Sequence, residues 1–405
     1  MNNRILAASL LSLITLAPAT ANALVVSGPD ILPDFQFSNP GARSNAMGGA
    51  FIGVADDATA AYANPAGLTI LTKPEASLEF KNSLYTSSIY LENGRKHEFE
   101  HSSFGASFIG YAAPRDKTAI ALYRHQLLDL KEKTEKISYT PDITTRLVDT
   151  EVDVEAVTYG IAFAARPIEA LAAGISVGFT TLDYNYRSSY VAATNQADYG
   201  TISQVDTTTN AASYTGSLLY TPIDAVSLGL VYRYGPELET TYTDSDGKMV
   251  KNLLNIPDMY GAGLSWRIGN NLTLAADVNR VMYTDLLDEL YYYDATAIGI
   301  KNPWTRNGTQ FQVEDATEFH VGFEYILPFD KLPLALRGGY FNRPDHTIHY
   351  TENTLTYLKK FRQGEDDQIY SLGLGMVLGE NGQVDFAASL GDLVEEYVLS
   401  MVYRF

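Results

Sequence analysis

From residue 75 onward, apolar and polar residues alternate along the chain. The clearest stretch is 226–235, where Val226, Leu228, Leu230, Tyr232 and Tyr234 share one parity and Ser227, Gly229, Arg233 and Gly235 the other. Successive side chains of a strand point to opposite faces, so this pattern describes strands with one apolar and one polar face. Fourteen such segments are predicted, near 75–91, 101–113, 117–130, 150–166, 169–187, 206–222, 224–242, 257–268, 271–285, 315–328, 332–344, 367–380, 383–391 and 394–405. An even number of half-apolar strands fits an all-β architecture: a 14-stranded antiparallel transmembrane barrel spanning 75–405, with lipid outside and a polar lumen.

The separators support this. Pro114-Arg115-Asp116, Arg166-Pro167, Pro222-Ile223, Gly269-Asn270, Pro328-Phe329-Asp330-Lys331 and Asn381-Gly382 are rich in residues that favour turns. Between them lie long polar stretches at 131–149, 188–205, 243–256, 286–314 and 345–366. Short connections then read as periplasmic turns and long ones as extracellular loops, with both chain ends on the periplasmic side. The parity also places Arg124, Arg233, Arg267, Arg337, Asp277, Glu318, His320 and Glu324 in the lumen. Two readings of these charges stay open: an ionic network across the wall, since buried charges pair, or capture of a ligand carboxylate by one of the arginines.

Composition narrows the class. Residues 1–23 hold a single cation, Arg4, an apolar stretch from Ile5 to Ala17, and the small-residue exit Ala21-Asn22-Ala23, which together predict a cleaved signal peptide. The apolar stretch is shorter than the roughly 20 residues a spanning helix needs, and no later run reaches that length. Cysteine is absent, which removes disulfides, thiolate catalysis and cysteine-bound metal from consideration. The net charge is −19, or −20 once Arg4 leaves with the signal, which argues against nucleic-acid binding. Tyrosine contributes 28 residues, in keeping with aromatic girdles at two membrane interfaces. The chain ends on an alternating strand whose odd positions read lipid-facing and whose last residue is Phe405. Such an end resembles the signal by which barrels are handed to their insertion machinery.

Residues 24–74 break the strand pattern. Gly41-Ala42-Arg43-Ser44-Asn45-Ala46-Met47-Gly48-Gly49-Ala50-Phe51 leads into Asp56-Asp57-Ala58-Thr59-Ala60-Ala61-Tyr62-Ala63-Asn64-Pro65-Ala66-Gly67-Leu68. Asp56 or Asp57 is expected to cap a short helix from Ala58 to Ala63, and Pro65 to stop it ahead of a reversal at Gly67. A helical plug of about 50 residues suits a barrel lumen by size.

Here the chain resembles the FadL/TodX family of outer-membrane transporters of hydrophobic compounds, whose members pair an N-terminal hatch with a 14-stranded barrel. The match lies in Ala55-Asp56-Asp57 and Asn64-Pro65-Ala66. The Gly48-Gly49-Ala50-Phe51 and Tyr62 surroundings look equally like the PorV-like branch, which serves secretion systems. The resemblance implies hatch residues Asp56, Asp57, Asn64, Pro65 and Ala66, and uptake of hydrophobic small molecules such as long-chain fatty acids. It also implies a pocket above the hatch and lateral release into outer-membrane lipid. The alternative it implies is a structural partner in a secretion or assembly complex. No cofactor is expected.

Enzymatic motifs lack their context. Gly174-Ile175-Ser176-Val177-Gly178 matches a nucleophile elbow but lies within one alternating strand. His346 and His349 form H-x-x-H in a loop, which alone seldom makes a metal site. Gly338-Gly339 and the pair Gly373 and Gly375 read as bends or close packing in strands, since no phosphate-loop residues follow. A barrel-embedded lipid hydrolase would need a serine and histidine meeting near an interface, and no motif supplies them.

The terminal strand generates a first prediction. Deleting Phe405 should lower the yield of inserted protein in the outer membrane by several fold while leaving folding in detergent intact. Heat-modifiable mobility of membrane and refolded fractions checks this, and unchanged membrane yield would contradict it.

Overall fold

The computed structural model describes residues 37–90, 96–139, 146–192, 198–243, 249–287, 291–293, 304–306, 311–329, 332–350 and 363–405. The signal-peptide expectation and parts of the long loops lie outside them. Fourteen strands close one antiparallel barrel. They are β1 Glu75–Tyr90, β2 Lys96–Arg115, β3 Thr118–Tyr139, β4 Arg146–Ile168, β5 Leu171–Ala192, β6 Asp198–Ile223, β7 Val226–Tyr234, β8 Met259–Ile268, β9 Leu272–Val281, β10 Ala316–Leu327, β11 Leu334–Arg343, β12 Asp367–Leu378, β13 Gly382–Leu390 and β14 Val394–Arg404. β1 closes the ring by pairing with β14 from Glu75↔Arg404 to Tyr85↔Val394.

Burial follows the predicted parity. Along β8, Met259, Gly261, Gly263 and Ser265 are buried while Tyr260, Leu264 and Trp266 are exposed. The outer face carries exposed Ile161, Phe163, Val177, Phe179, Leu230, Phe323, Leu372, Leu374 and Leu399, an apolar belt that no soluble protein leaves uncovered. Aromatic rings edge the belt at both ends. Tyr232 stacks on Tyr260 at 4.8 Å and Tyr340 meets Tyr370 at 5.2 Å at the loop end, whereas Tyr403, Phe405 and Tyr111 cluster at the turn end. No helix among the described residues is long and apolar enough to cross a membrane.

The structure corrects several lengths. β3 to β6 run further toward the loop end than the predicted 117–130, 150–166, 169–187 and 206–222. On β4 the exposed apolar residues extend only from Ile168 back to Tyr159, close to the roughly 9–11 residues that span a bilayer, yet pairing with β5 continues to Arg146↔Ala192. Backbone ladders do not depend on side-chain polarity, so strands outlast the apolar signal that reveals them. The opposite error falls on 224–242: β7 ends at Tyr234, and Glu237–Thr243 forms a separate hairpin with Met249–Asn255. Gly235 and Pro236 break the ladder, Pro236 having no N–H to donate and the Gly235 N–H turning to the Asp258 carboxylate at 2.9 Å.

Residues 37–74 fill the lumen with little regular structure: helix α1 Ala42–Ala46, helix α2 Ala60–Ala63 and a 3₁₀ segment Pro65–Ile70. The plug's backbone lies directly on the wall's. A Cβ on Gly322 or Gly339 would strike the backbone of Met47 and Gly48, and one on Gly174 that of Pro65 and Ala66. The glycines that resembled an elbow and a bend are therefore seats for the plug. Replacing Gly339 with Leu should displace the plug while the barrel still folds, because overpacking here meets backbone with nowhere to go. Single-channel conductance of purified protein in planar bilayers should rise against wild type, and Gly216→Leu, where a side chain meets open space, should leave it unchanged.

Candidate functional site

A plug with two short helices leaves many backbone N–H groups without partners, and the lumen wall supplies acceptors. Glu79 accepts from Gly41 N–H, Ser400 Oγ from Ala42 N–H at 3.1 Å, and Glu75 from Ala58 N–H at 3.1 Å. One oxygen of Asp277 accepts from both Phe51 N–H at 2.7 Å and Ile52 N–H at 2.8 Å. His320 Nδ1 donates to the Gly48 carbonyl at 2.7 Å. These seats sit on β1, β9, β10 and β14.

A buried ionic chain adds a latch. Arg43, from α1, donates through Nε and Nη2 to the two oxygens of Glu324, each at 2.8 Å, and also pairs with Asp56. Glu324 then accepts from Arg337 Nε at 2.6 Å, and Arg337 Nη1 reaches Asp385 at 2.7 Å. Of the charges placed inside by parity, Glu324 and Arg337 thus join a network. The plug residue that completes it, Arg43, was missed, although it is the plug's one cation between residues 37 and 72.

The other sequence-derived residues fall variously. Asp57 accepts from Thr59 N–H at 2.8 Å and so caps the turn before α2, whose N-cap is Thr59. Asp56 instead serves Arg43. Asn64 donates to the Ile52 carbonyl at 2.8 Å and accepts from Ala66 N–H at 3.2 Å, while Ser217 Oγ on β6 accepts from the same N–H at 3.0 Å. Pro65 begins the 3₁₀ turn rather than a reversal, because proline at a first helical position forfeits only an N–H that had no partner. Arg267 is exposed at the turn end, a correction to its lumen assignment: beyond Ser265 the strand leaves the plug and both faces meet solvent. His346 stacks on Tyr283 at 4.3 Å, and no metal-holding group of three His, Asp or Glu occurs among the described residues. Ser176 hydrogen-bonds Tyr123 Oη at 2.9 Å inside β5.

Above the plug lies a cavity of about 60 Å³, with Phe37, Tyr283, Phe341 and Ile369 as apolar lining and His320 and Glu396 as polar edge. Across the lumen, the wall itself is interrupted. β2 pairs with β3 only from Arg115↔Thr118 to Phe108↔His125. Beyond that rung, toward the loop end, β2 continues on β1 to Lys96 and β3 on β4 to Tyr139, and no pairing joins the two strands to each other. A bulge between Gln126 and Leu128 bends β3 at the same level. Arg124 stands at this point, facing outward with Ile120 and Leu122 rather than into the lumen as expected. Its Nη1 donates to the Ala106 carbonyl across the gap at 2.5 Å and its Nη2 to Glu155 at 3.3 Å. The parity of its neighbours carried that signal; inward placement assumed that a charge avoids the outer face, which fails where the wall leaves the apolar belt.

Solved barrels share this architecture. A Pseudomonas aeruginosa FadL homologue superimposes with a TM-score of 0.68 over 92% of this chain and 99% of its own, at 13% identity. The Ralstonia pickettii toluene transporter TbuX gives 0.63 over 91% and 99%, at 16% identity, and the Pseudomonas putida toluene transporter TodX 0.61 over 92% and 100%, at 14% identity. The fold is that of the FadL/TodX channels. No family model and no curated protein matches the sequence. The FadL-like fold is thus carried by strand count, plug and register, not by residue identity.

Within this FadL-like plug, Asn64 is fully buried and bonds on both sides of Pro65. Asn64→Ala should remove two bonds worth about 1 kcal/mol each and leave the Ile52 carbonyl unmet, loosening the plug by about 2–3 kcal/mol. Hydrogen exchange of peptides covering 50–70 should speed up at least about tenfold with the strands unchanged; unchanged exchange in those peptides would contradict the assignment.

Proposed function

We propose that this chain takes up hydrophobic compounds, long-chain fatty acids among them, across a bacterial outer membrane. The ligand is captured in the cavity over the hatch and leaves sideways into the bilayer. The observation that carries this reading is the β2–β3 seam. Pairing of β2 with β3 stops at Phe108↔His125, although both strands continue, beside a lumen closed below by a plug hydrogen-bonded to its walls. A solute entering from the loop end meets a sealed floor and an open side. For an apolar molecule the side route is the favourable one, because passage from cavity to hydrocarbon avoids water, at roughly 25 cal/mol per Å² of apolar surface kept buried. The fold shared with a FadL homologue and with two toluene transporters supports the same reading.

The native chain lacks cysteine, so the seam can be closed at will. A Cβ on Gly105 would lie 3.5 Å from the end of the Gln126 side chain, so Gly105→Cys with Gln126→Cys places two thiols on either side of the gap within reach of a short, reducible bis-thiol cross-linker. Cross-linking that pair should cut uptake of radiolabelled dodecanoate by cells at least about tenfold, and reduction should restore it. Gly216→Cys with Tyr232→Cys, partners on the intact β6–β7 ladder, should have no effect. Undiminished uptake through the bridged seam would rule out lateral exit there.

A further inference from the structure

Just inside the seam is a group of buried polar atoms whose partners are missing. Tyr62 of the plug lies with its ring 4.1 Å from that of His125, the residue on the last β2–β3 rung, and the Arg233 guanidinium sits 4.0 Å over the same ring. Tyr62, His125 and Arg233 are 4%, 2% and 6% exposed. Yet Tyr62 Oη, His125 Nδ1 and Arg233 Nε have no hydrogen-bond partner. Arg233 donates only to the Tyr62 carbonyl at 3.1 Å and, weakly, to Met259 Sδ at 3.9 Å. No carboxylate among the described residues pairs with it, in contrast to Arg43 and Arg337, each of which holds two.

A buried guanidinium without a counter-charge is among the costlier features a fold can carry. The Tyr62 ring and carbonyl relieve it only in part, and Lys81 and Arg124 add positive charge that acts on neighbouring His125, Lys81 being itself answered by Glu396 at 3.5 Å. Three unmet polar atoms and an excess positive charge describe what a carboxylate requires: a planar acceptor pair for Arg233 and a hydroxyl donor from Tyr62. The flanking surface is apolar, with Phe108 and Tyr123 stacked at 6.2 Å on the seam side.

Resting on the uptake reading above, we propose that Arg233, Tyr62 and His125 form a head-group site for an apolar carboxylate at the inner mouth of the seam. The carboxylate is held in the lumen while the tail passes out between β2 and β3, so the ligand leaves tail first and the head group is released last. Selection of acid over neutral hydrocarbon then resides here rather than in the apolar cavity above the plug.

The test is binding of dodecanoate and of dodecanol to the purified full-length protein in detergent, by displacement of a fluorescent apolar probe, with heat-modifiable mobility confirming the folded barrel. Wild type should bind dodecanoate at least about tenfold more tightly than dodecanol, the value of one charge-assisted contact. Arg233→Gln should abolish that preference with dodecanol affinity unchanged, and Tyr62→Phe, which keeps the ring, should reduce it in part. Equal affinities in wild type, or equal weakening of both ligands by Arg233→Gln, would overturn the head-group site while leaving uptake standing. Binding of neither ligand by wild type would overturn the uptake reading with it.

Discussion

A plug of mostly irregular backbone inside a lumen must have its N–H groups met, and the rest of the arrangement follows from that demand. Helices α1 and α2 are too short to satisfy themselves, so Glu75, Glu79, Asp277 and Ser400 turn inward to accept from plug amides. These carboxylates explain part of the acidic wall. They also hold the floor of the lumen rigid, since removing an acceptor leaves a buried donor at a cost of about 1–3 kcal/mol. Glycines on β10 and β11 bring the two backbones together and leave no space for a side chain to yield.

Above the closed floor, β2 and β3 part from each other while each stays paired with its other neighbour. Strand edges are ordinarily paired or covered, since they template association. Here the edges above Phe108 and His125 are open to each other, and a side chain, Arg124, reaches across where the ladder stops. The bulge at Gln126 and Leu128 turns β3 away at that level. In the proposed uptake, the parting of β2 and β3 would set the position of the lateral route, while the plug would close the axial one.

Charge placement divides the lumen. On the β10–β13 side, arginines and carboxylates alternate from Asp56 to Asp385 and neutralise one another. On the seam side Arg233 lacks a carboxylate and the Tyr62 hydroxyl has no hydrogen-bond partner. Of the two readings of the lumen charges, the ionic network describes Arg337 and Glu324, and the proposed head-group site takes up the other at Arg233.

Alternation by itself determined the fourteen strands, the lipid and lumen faces of β7 and β14, and the alternation of short and long connections, because a lipid face on one side and a polar lumen on the other write their period into every strand. Asn64-Pro65-Ala66 likewise announced a plug, and the double bonding of Asn64 follows from what an amide offers beside a proline. Only the tertiary structure decided where pairing fails, since the end of the β2–β3 ladder depends on the register of two strands against their other neighbours. It also decided that Arg43 latches the plug and that Arg267 touches nothing inside. Long-range partners such as Arg43 and Glu324, or Tyr62 and His125, meet because closure of the ring brings them together, and no local period records that.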